Sequence, residues 1–295
     1  MSGADHGLDS AAGWFKAQAD MTERFGAAIR QSFDEVFDGQ RTGRYQLSEL
    51  AKVEKTYIGT KVEIVVQAEF GLERGRRMDY LVAGEEVDAK WTMTSGHWMI
   101  PKEAVGELCL CITADDDAST FHVGIVRADD IRLRTARNQD SKRSLTPEGL
   151  AAMWWLVNSG DLPENLLLHL DEGTRGQVLD PDLSGQARID QLFRLVQRRP
   201  IRREVVLTVA RQDDGPKRVR DARIRLRAEG IVILGHQGAH PTIARALGLP
   251  VVPKGSWVSA RIVPDPDGPA YIDEVHWRLA TEQDPVVPGP ASYTK

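Results

Sequence analysis

The sequence predicts an α/β (α+β) chain in two parts: a helix-and-strand core, then three helices and a strand in the order of a winged helix-turn-helix. Three observations predict it. Apolar residues recur at helical spacing early and late in the chain, with short, bounded, strand-like runs between them. A Gly-, Asp- and Pro-rich stretch, DEGTRGQVLDPDLSGQ at 171–186, interrupts this pattern. Basic residues crowd into the region beyond that stretch. The expected organisation is a first domain over 1–170, a linker over 171–185 and a second domain over 186–295.

In chain order, residues 11–37 predict a helix, with Ala28, Ile29, Phe33, Val36 and Phe37 at helical intervals. DGQRTGR at 38–44 predicts a turn carrying two glycines and two arginines, Arg41 and Arg44. Residues 46–70 predict a second helix broken near Gly59. Strands are expected at 78–82, 86–92, 108–113 and 121–126. The polar stretch 135–144 reads as a loop. Thr146 and Pro147 then cap and open a helix that continues through the apolar LAAMWWLV at 150–157. In the second part, helices are expected at 187–198, 202–211 and 217–228, with Gly230 stopping the third ahead of a strand at 231–234. The Pro-rich end, 282–295, reads as a loose tail.

Several function classes lose support at this level. No apolar run approaches the roughly 20 residues of a membrane helix, and the first residues lack a secretory pattern. Cys109 and Cys111, in CLC, stand too close for an unstrained bridge and share one strand face; they predict buried core thiols in a reduced, cytoplasmic protein. No phosphate-binding glycine loop or nucleophile elbow occurs. His236 and His240 have a metal-like spacing without a third ligand and read as a loop.

The segment MDYLVAGEEVDAK at 78–90 holds Asp79, Asp88 and Lys90. A tight hairpin about Ala83-Gly84 pairs Val82 with Glu85, and by the same register sets Asp79 opposite Asp88. Their Cβ atoms are then roughly 5 Å apart on one face, and Lys90 shares that face. Two carboxylates so placed repel each other. A divalent cation removes the conflict, and oxygen ligands suit Mg²⁺. A metal beside a lysine serves phosphoryl chemistry. The spacing D-x8-D-x-K has the shape of the PD-(D/E)XK nuclease core; the plain alternative is a solvated hairpin with an incidental ion pair. Met78, Tyr80, Val82, Val87 and Ala89 fill the other positions and predict a buried opposite face. Glu63 stands among Val62, Ile64, Val65 and Val66. It reads either as a third metal-side carboxylate or as a surface position on an amphipathic helix.

Between Arg198 and Arg227 eleven basic residues meet four acids, so that stretch is +7 and the rest of the chain −12 beneath a net charge of −5. On a helix through 217–228, Val219, Ala222 and Leu226 form an apolar stripe. Lys217, Arg218, Arg220, Arg223, Arg225 and Arg227 are left to face phosphates or a DNA groove, against the alternative of a merely solvated helix. Arg41 and Arg44, with Ser95 and His97 in the TSGHWM turn, are further candidate DNA contacts or plain turn residues.

Several blocks in order resemble the NaeI-type (type IIE) restriction endonucleases of the PD-(D/E)XK superfamily. They are DGQRTGR at 38–44, EKTYIGTKVEI at 54–64, MDYLVAGEEVDAK at 78–90, LTPEG at 145–149, ENLLLH at 164–169, GQARIDQLF at 185–193, EGIVILGHQ at 229–237 and LGLPV at 247–251. The resemblance covers about residues 25 to 280. It implies a restriction-endonuclease-like core with a mixed sheet, and a C-terminal winged helix-turn-helix of the catabolite-activator type. It implies a Mg²⁺-dependent homodimer cutting both strands of a short palindrome in double-stranded DNA, GC-rich such as GCCGGC, with a second DNA copy as allosteric effector. It places the family's catalytic glutamate on Glu63, its metal aspartates on Asp79 and Asp88, and its lysine on Lys90. Met78 departs from the proline common in the superfamily. The stretch between Lys217 and Glu229 is shorter than in relatives and lacks their glycines. Two other readings compete: a DNA-binding regulator with an inactive nuclease domain, and a nonspecific or repair nuclease.

Overall fold

The structure, a computed structural model, describes residues 5–294. The chain forms two compact units. The first runs to Val36 and resumes over Gln46–Asn165; the second takes Phe37–Tyr45 and the chain from Leu166 onward.

Two helices open the first unit, α1 (His6–Lys16) and α2 (Met21–Phe37). The single helix expected over 11–37 is therefore interrupted: Asp20 takes a left-handed φ of 50°, which an α-helix cannot contain. Helix α3 (Gly39–Thr42) lies in the second unit, between left-handed Asp38 and Gly43. Helix α4 (Lys52–Phe70) runs through Gly59 without the expected break. A Cβ at Gly59 would sit 3.4 Å from the Trp91 side chain, an ordinary contact, and α4 packs on β3 along this face.

The strands are β1 (Glu73–Arg74), β2 (Tyr80–Val82), β3 (Glu85–Thr92), β4 (Met99–Ile100), β5 (Leu108–Asp115), β6 (Thr120–Arg127) and β7 (Arg143–Ser144). They are followed by α5 (Pro147–Ala151) and β8 (Trp154–Asp161). Six form one mixed sheet in the order β1-β2-β3-β5-β6-β8, in which β3 and β5 are parallel and the other neighbours antiparallel. Strands β4 and β7 pair separately. Thr146 caps α5 as its composition predicts, accepting from Gly149 N–H at 3.0 Å. The helix ends at Ala151, however, and WWLV is strand: Val157 pairs with Val123, and Trp154 and Trp155 pair with Ile125 and Gly124. A short apolar run carries no period, so this segment is set by the sheet edge it joins.

The second unit continues with α6 (Glu172–Val178), α7 (Gly185–Leu195), β9 (Ile201–Arg202), α8 (Arg203–Ala210) and α9 (Gly215–Leu226). Then come β10 (Ile231–Leu234), α10 (His240–Ala246), β11 (Ser256–Pro264), β12 (Ala270–Ile272) and β13 (Val275–Leu279). Its sheet is antiparallel, ordered β10-β11-β13-β12 with β9 on β11. Residues 171–185 are no free linker. Asp171 caps α6 by accepting from Thr174 N–H, and Val178 is buried with Leu166, Leu167 and Leu170 against α7, α8 and α9. Nor is the C-terminal stretch a loose tail. Tyr293 is buried in the core beneath β10 and β11, and Asp273 accepts from the Ala291 and Ser292 amides. No helix among the described residues is long and apolar enough to cross a membrane.

Candidate active site

Strands β2 and β3 pair Tyr80 with Val87, Leu81 with Glu86 and Val82 with Glu85. Ala83 and Gly84 make the turn with φ of 50° and 85°, the double left-handed geometry of a type I′ hairpin. Asp79 stands one residue ahead of β2, where that register continues to Asp88. Its Oδ2 accepts from Ala89 N–H at 2.7 Å, tying it to the partner strand. Tyr80, Val82 and Val87 are buried on the opposite face, as the alternation requires.

Asp88 is 6 % exposed. Lys90 Nζ lies 2.7 Å from its Oδ2 and donates to Ala89 O at 2.9 Å. The short ion pair is poorly aligned for hydrogen bonding, so Oδ2 has no aligned donor although it is buried. Burial pushes the Asp88 carboxyl up to about 6; Lys90 opposes this and Asp79 adds to it. Burial pulls the Lys90 ammonium down most strongly, but Asp88 and then Asp79 together turn the net direction upward, which keeps the ammonium form. Parallel β5 sets Cys109 beside Asp88 and Cys111 beside Lys90. Both are free, fully buried thiols packed with Trp98, Ile100 and Met153, the core role their spacing predicts.

Glu63 joins this group from α4. It is half-buried, and burial followed by the charge of Asp79 raises its carboxyl, with Lys90 opposing and Asp88 adding. Its neighbourhood is partly open, since Ile64 is 47 % exposed. Tyr80, buried within the sheet, donates its hydroxyl to Glu63 O at 2.8 Å and so fixes this turn of α4 against the hairpin. The structure thus brings Glu63, Asp79, Asp88 and Lys90 within electrostatic reach of one another.

Among the described residues, no three His, Cys, Asp or Glu side chains are gathered closely enough to cage an ion. The donor set nevertheless fits a hard divalent cation: three carboxylates, one carrying a buried oxygen without an aligned donor. The sequence predicts Tyr80 only as a buried position and does not single out Glu86. Tyr80 bonds a main-chain oxygen, which leaves no sequence signal. Glu86 shares strand parity with Asp88 and Lys90, and that parity could have flagged it.

The candidate DNA contacts scatter. Ser95 and His97 are exposed on the turn after β3 in the first unit. Arg41 lies on α3, exposed and paired with Asp38; Arg44 follows it, its Nε donating to Phe37 O at 3.3 Å. On α9, Val219, Ala222 and Leu226 are fully buried, as the apolar stripe predicts. Lys217 and Arg220 are exposed. Arg218 pairs with Asp214 at 3.1 Å and Arg225 with Asp190 at 3.4 Å, while Arg227 reaches Gly289 O at 3.4 Å. Arg223 does not face solvent. It is 8 % exposed and its Nε donates to Ile233 O at 2.9 Å, because its helical position falls next to the buried stripe and over β10. His236 lies in the turn after β10. His240 opens α10, its Nδ1 accepting from Gly235 N–H and its Nε2 lying 2.9 Å from Tyr293 O, so its imidazole is structural.

A family model described as restriction endonuclease NaeI matches residues 11–288. A curated relative, the type II restriction enzyme NaeI of Lentzea aerocolonigenes, is 45 % identical over 281 residues. The match covers 91 % of this chain and 88 % of the relative.

Proposed function

The chain belongs to the NaeI family of restriction endonucleases and is a site-specific DNA endonuclease; from that premise we propose that Glu63, Asp79, Asp88 and Lys90 cut the phosphodiester with Mg²⁺. The observation that carries the reading is the meeting of three carboxylates and one charged lysine at the β2–β3 hairpin, with the Asp88 carboxyl buried. Glu63, Asp79 and Asp88 would hold the cation, which supplies polarisation of the scissile phosphate and acidification of a water. Lys90 holds its positive charge beside that position and stabilises the negative charge that builds on the phosphoryl oxygens, or orients the attacking water. Tyr80 and the Ala89 amide hold Glu63 and Asp79 in place.

The second unit is proposed as a winged helix-turn-helix. Three helices, α7, α8 and α9, precede β10 and the antiparallel strands, and α9 offers Lys217 and Arg220 to phosphates or base edges. Two-fold symmetry of a palindromic target calls for a homodimer. A GC-rich site, a second DNA copy as allosteric effector and a cytoplasmic location complete the proposal. Digestion of supercoiled plasmid with Mg²⁺ tests it: discrete fragments are expected, formed faster when cognate duplex is added in trans. A smear would mean a nonspecific nuclease. Cleavage indifferent to added duplex would remove the effector, since coupling between two binding sites is reciprocal.

A further inference from the structure

The turn that delivers Asp79 is built on one carboxylate. Glu86 Oε1 accepts from Arg76 N–H at 2.9 Å, and Oε2 accepts from Arg77 N–H at 3.1 Å and Met78 N–H at 2.9 Å. Three consecutive amides therefore end on a single side chain, and the next residue is Asp79. Residues 75–79 belong to no helix or strand, so no ladder of backbone bonds fixes them. Their main-chain closure is one long bond, Gly75 N–H to Asp79 O at 3.3 Å. The turn wraps Glu86 tightly: a Cβ on Gly75 would fall 2.5 Å from Met78 O, 2.7 Å from Glu86 Oε2 and 2.9 Å from Tyr80 O.

Glu86 lies two residues before Asp88 on β3 and shares its strand face, so a fourth metal carboxylate is the obvious alternative. Its hydrogen bonds argue otherwise, because both oxygens are engaged by amides of the turn. We infer that Glu86 is a positioning residue: it locks residues 76–78 so that Asp79 stands opposite Asp88, and the affinity of the pair for a divalent cation depends on it. This rests on the reading that Asp79 and Asp88 hold that cation. A carboxylate that orients a metal ligand from behind is worth about tenfold or more in metal affinity.

The test compares Glu86→Ala and Glu86→Gln with the unaltered chain. Calorimetric titration of Mn²⁺ into the DNA-free protein reads metal affinity without turnover. Hydrogen exchange reads the amides of 76–78, and the Mg²⁺ concentration for half-maximal plasmid cleavage reads function. In Glu86→Ala the three amides exchange faster, Mn²⁺ binds about tenfold more weakly, and the half-maximal Mg²⁺ rises in parallel. Cleavage recovers at saturating Mg²⁺. Glu86→Gln keeps one acceptor oxygen, falls between the two on all readouts, and carries the test if the alanine variant does not fold. Freed amides with Mn²⁺ affinity within about twofold of the unaltered chain, far short of that factor, overturn the inference, as do amides that stay protected. Failure of the underlying reading looks different: the unaltered chain itself, or Asp88→Ala against it, shows no metal binding to lose, and the inference then falls with that reading.

Discussion

Asp88 is where the site stores its electrostatic conflict. Its carboxyl is pushed up to about 6 by burial, against the pull of Lys90 2.7 Å away. A carboxyl whose folded pKa exceeds its unfolded value holds its proton more tightly when folded. Its contribution to stability is therefore full below about pH 4 and is lost as pH rises through about 6. A shift of about two units amounts to roughly 2–3 kcal/mol over that window. In chelator, the stability difference between the unaltered chain and Asp88→Asn, read by urea denaturation at pH 5 and pH 8, should change by about half of this amount, because at pH 5 part of it is already lost. The unaltered chain should lose relative stability at the higher pH, and a difference that stays flat would contradict the burial argument. The same proton competes with a cation, so metal affinity should weaken below about pH 6.

At the scale of elements, the hairpin was the most legible part of the sequence. A two-residue turn leaves one register, and Val82 opposite Glu85 fixes Asp79 against Asp88 without further information. The strand at 231–234 and the stop at Gly230 were equally readable, since a run of β-branched residues follows a glycine, and Gly230, with φ of 74°, ends the helical turn before it. What was not legible depended on partners far away in sequence. WWLV became strand by joining β6, and Tyr80 found Glu63 through a main-chain oxygen. The motif DGQRTGR read as a turn; instead it forms α3, which packs on α8 in the second unit. A Cβ at Gly39 would press on the Thr208 side chain and sit 2.8 Å from Arg44 O. Gly39→Ala should cost about 1–3 kcal/mol by overpacking, seen as a lower denaturation midpoint. An unchanged midpoint would mean that α3 is not held there.

At the scale of the whole molecule, a net charge of −5 conceals a strongly basic segment, and the fold consumes part of that charge. Within it, Arg198 donates to Ala280 O and Arg223 donates to Ile233 O. Exposed Lys217 and Arg220 are the basic residues of α9 best placed for phosphates. Replacing either with Ala should lower the salt dependence of DNA binding by about one unit of slope. Arg223→Ala should instead lower stability and leave the slope alone, so a slope change there and none at Arg220 would reverse this assignment. One cluster cuts and other surfaces hold the DNA if this proposal is right, and Asp88→Ala, assayed in parallel for plasmid cleavage with Mg²⁺ and for duplex binding, separates the two. Cleavage should fall by orders of magnitude with binding retained. Cleavage at the unaltered rate, from a protein that binds its duplex normally, would contradict it.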